Sequence, residues 1–407
     1  MNLRFFIARR YLFSRKSHAV INLISLISVV SVCLITAAMV IILSAINGFE
    51  TIVEDLYGEF DPDLKIAPVN GKSFELSNEK WKKISGVKGI HAVTRVVEET
   101  GIIKSGEKWV HATLKGVEKS YFNVSRVGKH IDNKGPFLEN NGAVAGSLVA
   151  SRLGIYANQA LGIENMVIYA PLRSKRMGFT AKPFSEERLT LTGVFRVNPE
   201  YDDKYVLMDF GLLREMLEYE NDVSYIEIAL TANADEDEVI EALEPVIGKK
   251  LKVITRYQIN EIIYKTNRAE KWFTFLILMF VMLLAAVNIV SSLTMLVIDK
   301  RNDMRTLKVL GAESSDLRSI FFIDGMIINL MGGLLGVAIG AIFCFLQEKY
   351  HFVSLGNAVI DYYPVKLLLS DLVWIFFTLL GIGCICSWFP TAYLVKRHNR
   401  EEAVQPL

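Results

Sequence analysis

VINLISLISVVSVCLITAAMVIILSAI, residues 20–46, is the stretch that decides the fold. It carries no charged side chain, no proline and no glycine. A helix rises 1.5 Å per residue, so about 20 apolar residues cross the hydrocarbon of a bilayer. At 27 residues the run also exceeds the apolar core of a cleaved leader, and no small-x-small cleavage site ends it, so it is expected to stay in the chain. Three further runs read the same way, at 273–298, 320–346 and 372–395. Composition agrees, with 51% hydrophobic residues and a mean hydropathy of +0.30. A formal net charge of +1 gives no reason to expect a nucleic-acid partner.

Orientation follows from Lys and Arg near the ends of the spans. Arg4, Arg9, Arg10, Arg15 and Lys16 precede the first run with no acid among them. The connection IDKRNDMRTLKVLGAESSDLR holds Lys300, Arg301, Arg305, Lys308 and Arg318, and the tail holds Lys396, Arg397 and Arg400. Four spans put these three segments on one side, assigned to the cytoplasm. The expected layout is a cytoplasmic segment 1–19, spans at 20–46, 272–298, 320–346 and 372–395, an outer domain 47–271, a cytoplasmic loop 299–319, a short outer loop 347–371 and a cytoplasmic tail 396–407.

The outer domain is large enough to bury a core. Strand-like runs start at Leu64, Ala92, Trp109, Met166, Leu189 and Ser224; helix-like runs start at Leu76, Ser147, Asp209 and Asp235. The alternation reads as an α+β domain of two lobes. The first span is expected to continue as helix through Gly48-Phe49-Glu50 toward Tyr57. The second is expected to begin near Tyr257, because neither Pro nor Gly interrupts Tyr257 to Lys300. Such a rod, about 60 Å long, is either a lever or a stalk.

Little in the chain suits catalysis. Cys33, Cys344, Cys384 and Cys386 all lie in apolar runs, which excludes a disulfide framework in the outer domain. Cys384-x-Cys386 has no His or second Cys pair nearby and reads as two buried small hydrophobes. His91, His111 and His130 have no metal-ligand spacing, so no metal site is expected. Gly71-Lys72-Ser73 resembles the end of a phosphate loop, but the first glycine would fall at Ile66. No catalytic residue and no bound cofactor is expected. Asp324, inside the third run, reads either as an intramembrane functional acid or as an interfacial one. Gly332, Gly336 and Gly340 share one helix face, which lets helices approach closely, in a tight bundle or an oligomer.

Two segments suit protein contacts. PLRSKRMGFTAKPFSEE, residues 171–187, lies between strand-like runs and reads as a projecting hairpin loop carrying Pro171, Arg173, Lys175, Arg176, Met177, Phe179, Lys182, Pro183 and Phe184. Residues 302–310 read as a short amphipathic helix with Asp303 near its start, Lys308 near its end and Gly311 to stop it. It would present Met304, Leu307 and Leu310 together with Arg305, Thr306 and Lys308, as a docking helix or a membrane-surface connector.

NIVSSLTMLVIDKRNDMRTLKVLGAESSDL, FIARRYLFSRK, SVVSVCLITAAMVIILSAINGFE and FFIDGMIINLMGGLLGVAIG resemble the corresponding segments of LolC/LolE permeases, the membrane subunits of the lipoprotein-releasing ABC transporter, within the MacB-like and FtsX-like superfamily. The resemblance implies a two-lobed outer domain of porter and sabre type in the bacterial inner membrane. It implies two copies of a partner ATPase that hold the ATP and Mg, and a second permease, either the same chain or a paralogue. It also implies lipoprotein cargo and a periplasmic lipoprotein chaperone. It makes Asp303, Met304, Arg305, Thr306, Leu307, Lys308, Leu310 and Gly311 the ATPase-coupling helix, 171–187 the chaperone-contact loop, and Ile46, Asn47 and Phe49 the wall of a lipid cavity. The rivals are a MacB-like efflux permease, which usually carries a fused ATPase, an FtsX-like regulator with a smaller outer domain, and a membrane-tethered periplasmic enzyme or sensor.

Overall fold

The computed structural model describes residues 7, 19–132, 138–139, 141–155, 165–172, 184–354 and 362–404. It divides into two compact units, Met1–Ile52 with Lys265–Leu407, and Val53–Tyr264.

The first unit is built on helices α1 (Ala19–Gly58), α2 (Glu261–Asp299), α3 (Arg301–Val309), α4 (Ser314–Tyr350) and α5 (Leu369–Val404). Four of these are long and apolar enough to cross a membrane. Each outruns its apolar stretch, since polar ends with good helix formers keep the same backbone. The boundary of the second unit divides α1 after Ile52 and α2 before Lys265, so both helices supply residues to both units. One expectation needs correction. The helix leading into the second span does not run unbroken from Tyr257. A short helix, Arg256–Ile259, ends at Asn260 (φ −108°, ψ 28°), and α2 starts at Glu261.

Helices in an apolar solvent gain little from apolar packing alone, so small residues and hydrogen bonds hold the bundle. Ser28 Oγ donates to the Asn288 carbonyl at 2.9 Å, the Ser25 and Ser292 hydroxyls lie 2.9 Å apart, and Asn329 Nδ2 donates to the Leu379 carbonyl at 2.8 Å. The glycine face of α4 lies against α1 of the same chain. A methyl group at Gly332 would come 2.7 Å from the Val29 carbonyl, at Gly336 2.5 Å from the Cys33 carbonyl, and at Gly340 2.8 Å from Val40 Cβ. Of the two readings of that face, the tight bundle is the one this chain adopts.

The second unit is α+β. Its strands are β1 (Leu64–Pro68), β2 (Phe74–Glu75), β3 (Ile90–Ser105), β4 (Lys108–Val117), β5 (Gly142–Gly146), β6 (Asn165–Pro171), β7 (Phe184–Phe195), β8 (Tyr205–Asp209), β9 (Asp222–Val223), β10 (Tyr225–Leu230) and β11 (Leu251–Thr255). Nine of them form one sheet in the order β11-β1-β10-β3-β4-β8-β5-β7-β6, and β6 pairs back onto β3. Strand β3 organises the sheet. Its first half, Ile90–Val96, pairs with β10, whereas Ile102–Lys104 takes β6 on that edge. Gly101 sits at the change of partner, where a Cβ would lie 2.8 Å from the Tyr169 carbonyl and 2.6 Å from Leu114 Cδ1. The two expected lobes are therefore regions of one continuous sheet. One is the β11-β1-β10 side, covered by helices Asn78–Ser85 and Glu236–Ile247 around Leu64, Ile84, Ile228 and Leu243; the other is the strand ring closed by the β6–β3 pairing.

Between these regions lies a buried ion pair. Lys115 Nζ is 2.8 Å from Glu227 Oε1, and each side chain is 3% exposed. The ammonium also lies 4.6 Å from the Phe60 ring centre and 4.7 Å from that of Tyr121. Burial works against the ammonium, but the Glu227 carboxylate holds it above its usual range. Such a pair is strongly directional, because removing either partner strands the other charge without water.

The packing against α1 makes Gly336 the sharpest test of the bundle. Gly336→Leu is expected to destabilise the detergent-solubilised protein by about 1–3 kcal/mol or more through overpacking. Gly381→Leu, where nothing lies within 4 Å of a Cβ, should leave the thermal midpoint unchanged.

Candidate functional site

Helix α3 is the segment that the sequence marks for docking. It ends as predicted: Gly311 takes φ +94°, its N–H donates to the Lys308 carbonyl at 2.9 Å, and the Ala312 N–H donates to the Leu307 carbonyl at 3.0 Å. This paired closure needs a left-handed residue at that position, which glycine adopts without strain. The presented face differs from the expectation. Met304 is 1% exposed and packs on Leu296, Val297, Leu317 and Phe321, with Leu307 half-buried beside it. Val309 and Leu310 are 88% and 77% exposed, next to exposed Arg305 and Thr306. Asp303 is exposed within 3.8 Å of Lys300 Nζ, and Lys308 is half-buried. Met304 and Leu307 thus anchor α3, because residues three apart share a face. The free apolar corner falls at Val309 and Leu310, and sequence reading missed Val309 because it lies outside the 304–307–310 spacing.

The second candidate lies at the other end of α1, within the membrane unit. Asn47 is 2% exposed. Its Nδ2 donates to Asp371 Oδ2 at 2.6 Å and to the Lys366 carbonyl at 3.2 Å; its Oδ1 accepts from Lys271 Nζ at 2.7 Å. Lys271 also pairs with Asp371 at 2.9 Å. Asn47 therefore ties α1, α2 and α5 together. Gly48 lets the chain at Pro364 pass, since a Cβ there would lie 2.5 Å from the Pro364 carbonyl carbon. Phe49 sets its ring edge-on to Tyr363 at 5.1 Å, and Ile46 is half-buried. Beside this knot is a cavity of about 310 Å³, lined by Leu43, Glu50, Trp272, Phe275 and Trp374, with Arg268, Lys271 and Asp371 at its polar side. A cavity thus adjoins the predicted place, but its α1 wall is Leu43 and Glu50. Ile46, Asn47 and Phe49 lie beside it.

The hairpin reading can be placed at its base. Strands β6 and β7 are antiparallel, and their last pair is Pro171 with Phe184, which is 44% exposed. Arg173, Lys175, Arg176, Met177, Phe179, Lys182 and Pro183 lie outside the described residues. Asp324 is fully buried, and neither carboxylate oxygen has a hydrogen-bond partner among the described residues. It faces the interior of the helix bundle. The two cysteines of the Cys384-x-Cys386 pair separate: Cys386 is buried and Cys384 is exposed, as positions about 200° apart on a helix require.

The MacB-like periplasmic core domain matches residues 25–246, and the FtsX-like permease C-terminal domain matches residues 275–398. The chain belongs to the family of permeases with a MacB-like periplasmic core domain. Over nearly its full length it is similar to LolE of Haemophilus influenzae, a lipoprotein-releasing system transmembrane protein (24% identical, covering 97% of this chain and 98% of LolE). It is likewise similar to LolC of Neisseria meningitidis (22% identical, 98% of each chain). The solved periplasmic region of MacB from Actinobacillus actinomycetemcomitans matches at 16% identity and a TM-score of 0.38, over 53% of this chain and 98% of that one. The relatives it resembles along its whole length are of the LolC/LolE branch, and the chain is a multi-pass inner-membrane permease subunit.

Val309→Asp and Leu310→Asp are expected to leave the thermal midpoint unchanged and to reduce co-purification of the ATPase severalfold. Met304→Ala should instead cost about 2–5 kcal/mol of stability, as core truncations do.

Proposed function

We propose that this chain is the permease subunit of an ABC transporter that extracts lipoproteins from the inner membrane and passes them to a periplasmic chaperone. The observation that carries the reading is similarity to LolE and LolC along the whole chain, membrane helices and outer domain alike. The helix at Arg301–Val309 serves as the ATPase-coupling helix, on the same cytoplasmic side as both termini. ATP and Mg are held by two copies of the partner ATPase, and a second permease, this chain or a paralogue, completes the membrane part.

Withdrawing an acyl chain from a bilayer costs about 0.8 kcal/mol per CH₂, on the order of 10 kcal/mol per chain. That cost calls for an external motor and for an apolar site to receive the chain. The cavity at Leu43, Trp272, Phe275 and Trp374 supplies such a site, with Arg268 and Lys271 placed for the polar head of the cargo. Movement of α3 driven by the ATPase passes along α1 and α2, the two helices that also supply residues to the outer domain. The hairpin that closes at Pro171 and Phe184 is the contact for the chaperone.

Purified in mild detergent from its native membranes, the chain should bring down a separate ATPase. Reconstituted with that ATPase, it should release a triacylated reporter lipoprotein from proteoliposomes on addition of ATP. A chain that purifies alone, or a complex that hydrolyses ATP without releasing lipoprotein, contradicts the reading.

A further inference from the structure

The chain leaves α1 at Gly58 and enters α2 at Glu261, and between these points the outer unit holds a compact polar knot. Its centre is Asp61, which is 7% exposed. Asp61 Oδ2 accepts hydrogen bonds from the Tyr201 hydroxyl and from Asn260 Nδ2, the latter at 2.6 Å. Asn260 is the residue that interrupts the helix ahead of α2. Arg256 adds a second tie: Nη2 donates to the Asp61 carbonyl and Nε to the Pro62 carbonyl, each at 3.3 Å, and Nη2 pairs with Asp63 Oδ1 at 2.7 Å. Asp63 in turn accepts from the Leu230 N–H of β10 at 2.7 Å. Phe60 stacks on Tyr201 with ring centres 4.3 Å apart.

Stability alone is a poor reason for this arrangement. An apolar cluster of the same volume would be as stable as buried charge and hydrogen bonds, or more so. What a carboxylate with directional donors adds is a fixed angle between the pieces it joins. Here the pieces are the chain leaving the last turn of α1, the start of α2, and the short helix Pro199–Asp202, whose Tyr201 packs on Val117, Val144 and Leu207 of the outer sheet. We propose that Asp61 is a positioning residue that makes the outer ends of α1 and α2 move as one body with the outer sheet. The assignment rests on the function proposed above and names the joint through which that function's movement passes.

The test uses the full-length chain in complex with its ATPase. Asp61→Ala should keep ATP hydrolysis within about twofold of wild type while release of a triacylated reporter lipoprotein falls at least tenfold. The reciprocal pair Asp61→Asn with Asn260→Asp should recover most of the release, because it restores an amide against a carboxylate. Spin labels at Asp55 and Ile262, both exposed, should give one narrow distance in the wild type and a broad distribution in Asp61→Ala. Should Asp61→Ala fail to fold, Asn260→Ala removes a single donor and reads the same quantities. Release at the wild-type rate by a folded variant, or loss of hydrolysis in proportion to release, overturns the proposal. So does an unbroadened spin-label distance, which reads the joint even if the wild-type complex releases no lipoprotein and the proposed function itself fails.

Discussion

Hydrocarbon offers no hydrogen bonds to a peptide backbone, so a chain that crosses it must satisfy every N–H and C=O internally. The rest of this structure depends on that constraint. It forces α1, α2, α4 and α5 to be unbroken through their apolar stretches and makes them rigid elements of 25 to 39 residues by length and composition. In α1 and α2 the same backbone continues into the outer unit. The break in this regularity comes at Asn260, outside the apolar stretch, where the side chain is committed to Asp61.

Within the membrane unit the helices are held by close approach and by a few polar contacts. The glycines of α4 bring its backbone against α1, while Asn47, Lys271 and Asp371 fasten three helices at one end. At the other end the anchored Met304 leaves Val309 and Leu310 free. Both ends of the unit therefore present chemistry that an all-lipid-facing bundle would lack: an amphiphilic cavity at one, an apolar corner flanked by Arg305 at the other. The outer unit supplies the complementary stiffness, with β3 shared by two parts of one sheet and Lys115 and Glu227 pinned between them.

Most of the architecture was legible because its signals are long. Twenty consecutive apolar residues without charge suit a membrane span and little else. The strands at Leu64, Trp109 and Met166 carry enough β-branched and aromatic side chains to stand out. Strands β5, β8 and β11 escaped for local reasons. GAVAG is small and featureless, and YVLMD and LKVIT each run directly into a helix. The end of α3 was legible because Gly311 is chemically distinctive, whereas its exposed face was not. Which side of a nine-residue helix faces inward depends on Leu296, Leu317 and Phe321, which come from two other helices. The knot at Asp61 left no trace in sequence, since its members are separated by 140 and 199 residues.

The account stands on α3 and the outer domain occupying opposite sides of the bilayer, so that a motor on one side can drive work on the other. Single cysteines at Glu107 and Leu310, each in a background lacking Cys33, Cys344, Cys384 and Cys386, test it on intact spheroplasts with a membrane-impermeant maleimide. The account predicts labelling at position 107 at once and at position 310 only after permeabilisation. Equal labelling of both before permeabilisation would contradict it.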